Sequence, residues 1–322
     1  MQTVAMRGRG MIAVLLLGLS AFSLQAKTTL TLGAAQNSLG SLPLIVAEQK
    51  GFFADEDLQV NTVSFKGGAP AVQALAGGSI AACICAADHA VRLQNRHLGG
   101  RVLVALTEHH GYGLVARADT PAARLSDLRG KTVGITSPGS LTDNTLRYYI
   151  GQQGLNAERD FRLVGIGTGG PMRAAIESGA VQAGMLTTPD VQAALADKRF
   201  KLIQDFRTLQ YPALDLVVVD RWLAKHRDEA QRLARAVIKA EQVIQTDPAA
   251  VQAGVDEMYP RLSPALRQVL VEEAPKLLSP DGKMAPEGYQ LMVKMLKASD
   301  PTLSQPDYSA ITVPDLDLLS KG

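Results

Sequence analysis

Three groups of side chains have types and spacings that suit chemistry. Cys83-x-Cys85, with His89 four residues further on, gathers soft-metal donors in a short stretch. A closed zinc or copper centre wants more thiolates or clustered imidazoles, and the chain holds two cysteines in all. On a strand both thiols share a face, yet they lie too near in sequence for an ordinary bridge. The expectation is therefore buried apolar packing and no metal. Asp88 and His89 adjoin and offer an acid beside a base; at a helix start such neighbours are expected to be an N-cap and a surface ring. The third group is a pair of glycine turns, Gly67-Gly68 before Pro70 and Gly169-Gly170 before Pro171. Each opens a helix whose free N–H groups and partial positive charge suit a small anion or polar ligand.

The elements that position these turns repeat. Residues 65–93 and 167–195 both read as turn, helix, strand, turn, helix, with glycine closing each first helix (Gly77 and Gly78; Gly179) and an Asp opening each second one (Asp88; Asp190). Proline near the first helical position and glycine just past the last is the expected asymmetry of helix ends. Two similar lobes follow, each presenting a glycine-turn helix N-terminus.

The first residues bear on the compartment. Arg7 and Arg9 precede an apolar core over residues 11–19, and Ser23-Leu24-Gln25-Ala26 ends in a small residue. This is the layout of a secretory signal peptide, cleaved after Ala26, so that the mature chain starts at Lys27. The apolar run is shorter than a membrane anchor. No cysteine follows it, so no lipid anchor is indicated. Loss of Arg7 and Arg9, with no acidic residue before Lys27, takes the net charge from +2 to 0. That balance argues against nucleic acid as a partner. No later segment reaches spanning length, and the size suits one large domain or two ordinary lobes.

Taken in order, residues 28–33 and 59–65 are strand-like around a helix starting at Pro43, which implies a right-handed parallel crossover. Residues 101–107 and 132–136 read as further strands, with Ser137-Pro138-Gly139-Ser140 as a turn before another helix. Residues 161–166 and 200–203 are strand-like, and the β-branched run 213–220 looks like a buried strand returning to the first lobe. From Trp222 onward the pattern is helical (222–246, 248–258, 264–278, 286–297), with an extended tail over 301–319. The expectation is an α/β chain of two lobes: residues 27–113 and 218–322 form lobe 1, and 114–217 form lobe 2. Linking segments fall near 112–117 and 211–220. Ligands in such sheets bind beyond the carboxyl ends of the strands.

Residues 42–53 (LPLIVAEQKGFF) followed by Leu58-Gln59-Val60 resemble the opening of the nitrate, sulfonate and taurine type of substrate-binding proteins of ABC importers (SsuA-, TauA- and NMT1-like). Phe65-Lys66-Gly67-Gly68-Ala69-Pro70 is similar to that family's glycine turn, and residues 125–134 (LSDLRGKTVG) are similar to the segment that opens its second lobe. Where the family places Asp after the glycine of each repeat, this chain has Ala81 and Gln182, a change read as structural. The resemblance implies the type II periplasmic-binding-protein fold, two lobes of mixed sheet flanked by helices. It implies a cleft lined by Gln36, Asn37, Ser38, Gly68, Ala69, Ala86 and Ala87 from lobe 1. Tyr112 is expected at the first crossing, and Ser137, Gly139, Ser140, Thr142, Thr187 and Thr188 from lobe 2. Hydroxyls and N–H groups can hold an oxyanion without a full counter-charge. For His109 and His110 hinge-edge packing is expected, and Arg147 and Arg173 are candidate counter-charges.

The function so implied is a periplasmic solute receptor, monomeric, without cofactor or metal, that closes over a small organic anion of the sulfonate or taurine kind. An ABC permease and its ATPase would be its partners. An enzyme on the same fold, acting on a pyrimidine precursor, and a sensor receptor without a transporter are the alternatives. The chain has no G-x-S-x-G, H-E-x-x-H or Walker motif, and its two cysteines fall short of the cysteine-rich segment of the pyrimidine-synthase relatives.

Overall fold

The computed structural model describes residues 27–313; the signal-peptide reading of residues 1–26 and the end of the tail lie outside the described residues. The chain first runs through β1 (Thr28–Ala34), α1 (Leu42–Gln49), α2 (Phe52–Asp55), β2 (Leu58–Ser64), α3 (Gly68–Gly77), β3 (Ala82–Cys85), α4 (Asp88–Asn95) and β4 (Gly100–Ala105). It crosses over into β5 (Tyr112–Arg117), β6 (Thr132–Ile135), α5 (Leu141–Gln152), α6 (Ala157–Asp160), β7 (Arg162–Gly165), α7 (Gly170–Glu177), β8 (Ala183–Thr187), α8 (Asp190–Ala196) and β9 (Phe200–Asp205). It returns through β10 (Asp215–Val219) to α9 (Asp220–Leu223), α10 (Arg227–Thr246), α11 (Pro248–Met258), α12 (Pro264–Leu277), α13 (Pro286–Ser299) and α14 (Tyr308–Ile311).

Two five-stranded sheets result, β2-β1-β3-β10-β4 and β7-β6-β8-β5-β9. In each, three strands are parallel and belong to βαβ crossovers. The fourth, β10 or β5, runs antiparallel to both its neighbours. That fourth strand is the one arriving from the other half of the chain. Its sequence explains its central place: every residue of Asp215–Val219 is buried, and burying one Val or Leu contributes roughly 2 kcal/mol. Both copies of the internal repeat fold alike, as α3-β3-α4 and α7-β8-α8. The two copies place their glycine turns at the same end of their sheets. α13, although it follows the return to the first sheet, packs against α5 of the second, so Met292 and Leu296 share a core with Leu146 and Ile150.

Several sequence expectations need correction. Residues 112–117 are strand throughout and 215–219 of the second segment are strand, so the connecting segments are 106–111 and 206–214, and the expected linkers meet them only at 211–214. The boundaries at 113/114 and 217/218 accordingly fall inside β5 and β10. The helix expected from Trp222 breaks at residues 224–226, where Trp222 stacks on His226 at 5.3 Å. α10 then starts afresh with Asp228 and Glu229 in its first turn, favourable at the positive end of a helix. Within the tail, residues 308–311 form the short α14. Cys83 and Cys85 are bonded to each other. Both side chains leave β3 on one face, with Cα atoms 5.5 Å apart, within the span a bridge accepts.

Candidate functional site

The two lobes meet along the carboxyl ends of their parallel strands, and a row of hydrogen bonds crosses the seam. At its centre Tyr112, the first residue of β5, donates its hydroxyl to Gln36 Oε1, in the loop after β1. Burial pushes the Tyr112 phenol up, which keeps that donor protonated. To one side, Leu39 N donates to Thr188 O at 3.4 Å, and Gln192 of α8 reaches Glu273 of α12. On the other side, Ala69 N, in the first turn of α3, donates to Ser140 Oγ at 3.3 Å, and Ser140 Oγ lies 2.6 Å from Ser137 Oγ. Further out, Asn144 of α5 enters lobe 1: its Nδ2 donates to Asp88 Oδ2 at 2.6 Å, and its Oδ1 accepts from Arg92 at 2.9 Å.

Two cavities of about 20 Å³ lie on either side of the Tyr112–Gln36 bond, each with room for about one water molecule. The first is lined by Gln36, Gly68, Ala86, His89, Tyr112, Thr136 and Ser140, among others. The second is lined by Gln36, Ser38, Thr107, His109, Tyr112, Thr187 and Thr188, among others. Nine of the expected ligand residues therefore converge: Gln36, Ser38, Gly68, Ala86, Tyr112, Ser140, Thr187 and Thr188 line these cavities, and Ser137 touches Ser140. Gly68 is there for space, since a Cβ on it would stand 2.4 Å from His89 Nε2.

The other five line neither cavity, although Ala69 reaches Ser140 through its N–H. Ala69 and Gly139 line a groove of about 220 Å³ along α4, and Asn37 lines one of about 450 Å³ with Gly169, Asp190, Tyr259 and Arg261. Ala87 is fully buried, its N–H donated to Pro212 O. Thr142 is buried too, with its hydroxyl accepting from Thr136 N at 2.9 Å, so it shapes the turn after β6. The expected counter-charges are already spent: Arg147 pairs with Asp143 and Glu158, and Arg173 with Asp197. A further pocket, of about 270 Å³ and lined by Arg117, Lys131 and Gln182 among others, lies at the far end of the second sheet's strands. Volume alone does not pick out the seam.

His89 is the residue the sequence reading misplaced. It is 3% exposed, no surface ring, and its Nε2 makes no hydrogen bond among the described residues, standing 3.9 Å from Asp88 Oδ1. Burial pushes its pKa down, and the charges of Arg92 and Arg96 add to that against the pull of Asp88. The ring is neutral at pH 7. Asp88 is fully buried and caps nothing; its Oδ2 accepts from Asn144, and its Oδ1 has no hydrogen-bond partner among the described residues. His109 lines the second cavity, whereas His110 is packed among Tyr112, Phe206 and Tyr211. Its Nδ1 accepts from Tyr112 N and its Nε2 lies 2.8 Å from Thr145 Oγ1. Burial depresses its pKa to about 3. Among the described residues no cluster of His, Cys, Asp and Glu could hold a metal ion.

The model of the NMT1-like family matches residues 24–256. The chain belongs to that family. It is 22% identical over 281 residues to the putative binding protein YtlA of Bacillus subtilis, covering 84% of each. A solved structure of a Bordetella bronchiseptica protein superposes with a TM-score of 0.80 at 26% identity, covering 90% of this chain and 96% of that one. The alkanesulfonate-binding protein SsuA from Xanthomonas axonopodis pv. citri, bound to MOPS, superposes with a TM-score of 0.70 at 16% identity, covering 86% and 94%. The fold is that of the periplasmic binding proteins, as the resemblance implied.

Proposed function

We propose that this NMT1-like protein is a periplasmic solute receptor whose two lobes part, admit a small organic anion at the seam and close on it, handing it to an ABC permease and its ATPase. The observation that carries the reading is the Tyr112–Gln36 bond, which joins one lobe to the other and divides two cavities lined by groups from both. When that pair swings aside the two cavities become one. A ligand there is held by the hydroxyls of Ser38, Ser140, Thr187 and Thr188, the amide of Gln36, and the phenol of Tyr112. Such donors favour the charged form of an anion without neutralising it. Contacts made to both lobes at once stabilise the closed state over the open one by the ligand's differential affinity.

The binding-protein name of YtlA and the fold shared with SsuA support a receptor over an enzyme. So does the lining of the cavities, where hydroxyls and amides outnumber groups able to move a proton. A thermal-shift screen of the purified protein against sulfonates, carboxylates, nitrate and pyrimidines tests the reading. A ligand at a hundred times its Kd adds about 2.7 kcal/mol of stability, and solution scattering should show the lobes drawn together. One class of anion raising the melting temperature, recovered unchanged, is the expected result. A compound consumed during incubation points to an enzyme, and no shift with any anion removes the anion reading.

A further inference from the structure

His89, Arg92 and Arg96 fall at i, i+3 and i+7 along α4 and its end, so they share one helix face. That face lines the groove of about 220 Å³ whose opposite wall is Ala69, Val72, Gln73 and Ala76 of α3, and whose lobe 2 end is Pro138–Gly139. His89 also lines the first inner cavity, so one imidazole stands between groove and cavity. The groove walls mix apolar side chains (Val72, Ala76, Leu93) with polar ones, and the charge in its lining is all of one sign.

Both guanidiniums have donors to spare. Arg92 gives one N–H to Asn144 of the other lobe, while its buried Nε has no partner. Arg96 is exposed, and among the described residues neither arginine takes part in an ion pair. Two carboxylates come near Arg92. Asp88 is bonded by the neutral amide of Asn144, and Asp300, whose pKa the Thr302 bonds and then the Arg92 charge lower, by the neutral Thr302, so the two carboxylates offset Arg92 in part and leave Arg96 without an acid partner. In the groove on the opposite side of the seam, Arg261 lies in the same lining as Asp190. Among the side chains lining the two grooves, that along α4 has Arg92 and Arg96 and no carboxylate, whereas the other pairs an arginine with an acid, so the positive end of the seam lies along α4.

We propose that this groove is the seat of the ligand's acid group: the solute is a small organic acid on a short apolar stem, its sulfonate or carboxylate paired with Arg92 and Arg96. The stem lies along Val72, Ala76 and Leu93, and the remaining end passes His89 into the inner cavity. Because Arg92 also binds Asn144 across the seam, an anion seated there favours closure. An inorganic oxyanion would use the inner hydroxyls and leave the groove unused. The inference rests on the receptor reading and adds to it a counter-charge and a stem.

The test is titration calorimetry of the purified protein at low salt with butanesulfonate, hexanoate, nitrate and 1-butanol, on wild type, Arg96→Gln and Arg92→Gln. Arg96 is exposed and makes no ion pair, so its variant keeps the wild-type melting temperature without ligand. Wild type is expected to bind an alkyl acid and to ignore 1-butanol and nitrate. Arg96→Gln should weaken the alkyl acid about tenfold, and Arg92→Gln more than that. Added salt should weaken wild type more than either variant. Equal affinity of the alkyl acid for wild type and Arg96→Gln overturns the groove while leaving the receptor standing. Tight binding of nitrate alone also overturns it, and the receptor reading then holds with an inorganic anion. Binding of no acid by wild type removes the organic-anion reading and the groove with it.

Discussion

The two repeat copies match at one constant offset along the sequence. Gly67 falls on Gly169, Asp88 on Asp190, and in the flanking segments Ser38 falls on Ser140. Each copy borders one outer groove of the seam, α4 that of 220 Å³ and the start of α8 that of 450 Å³. Their chemistry differs. Where α4 has His89, Arg92 and Arg96, α8 and the residues after it have Val191, Ala194 and Lys198. Val191 and Ala194 are buried in the second lobe's own core, while the α4 residues turn to the seam. One architecture therefore builds two entrances to one cleft. Side chains on a single helix face decide which entrance carries charge.

The difference is largest at Asn144, whose match in lobe 1 is Leu42, a core residue packed beside Gly254. Making the lobes alike through Asn144→Leu leaves Asp88 buried without a donor and removes an acceptor from Arg92. The expected loss is about 3 kcal/mol, read from urea unfolding. An unchanged midpoint would mean that Asn144 does not hold the lobes together. The matched glycines follow. Gly67 has φ +127°, and a Cβ there would stand 2.8 Å from Ser137 Oγ. Gly169 has φ +60°, and its nearest neighbour would be Asp190 Oδ2 at 3.4 Å. Both backbones disfavour a side chain, but only the first also displaces a group of the opposite lobe. Gly67→Ala should cost about 2 kcal/mol and Gly169→Ala about 1 kcal/mol. Equal costs would show that Ser137 yields freely and that the turn of α3 is not fitted to lobe 2.

Much of this was legible beforehand. Hydrophobic runs and the glycine and proline punctuation marked nearly every strand and helix, and the repeat pointed to two lobes with facing glycine turns. The convergence of Gln36, Gly68, Tyr112, Ser140 and Thr188 followed from the resemblance. His89 was misplaced because adjacency to Asp88 suggested a helix cap, whereas its match in the second copy, Val191, marks a buried position. A polar residue on an apolar match was the available signal. The role of Asn144 was not legible, since it depends on how α5 of one lobe meets α4 of the other. Nor was the Cys83–Cys85 bond, which depends on how closely two side chains on one face of β3 approach. The crossings were displaced because each runs directly into a buried strand, β5 or β10, so that the crossing and the apolar run lie side by side in the sequence.

The smallest difference concerns the two antiparallel strands, which enter their sheets past ionisable groups of opposite behaviour. β10 begins at Asp215, fully buried, which burial and the Asp88 charge push well above the usual carboxylate range. Folding binds its proton, so this group's contribution is present at low pH and lost as pH rises. β5 is preceded by His110, whose folded pKa of about 3 lies below its ordinary value. Folding expels that proton, so its contribution is present above about pH 6.5 and is lost as pH falls toward 3. For a group so placed the loss between pH 7 and pH 6 is about 0.7 kcal/mol. His110→Phe removes the titration at the cost of the bonds to Thr145 and Tyr112 N. Its unfolding free energy should be lower than wild type at pH 7 yet fall by about 0.7 kcal/mol less on going to pH 6. Because buried His89 acts in the same direction as His110, the wild-type slope alone does not separate them, and the comparison with the variant does. Parallel pH profiles for the two proteins would place the proton-linked loss at His89, in the seam, and leave the entry to β5 without a pH-sensitive group.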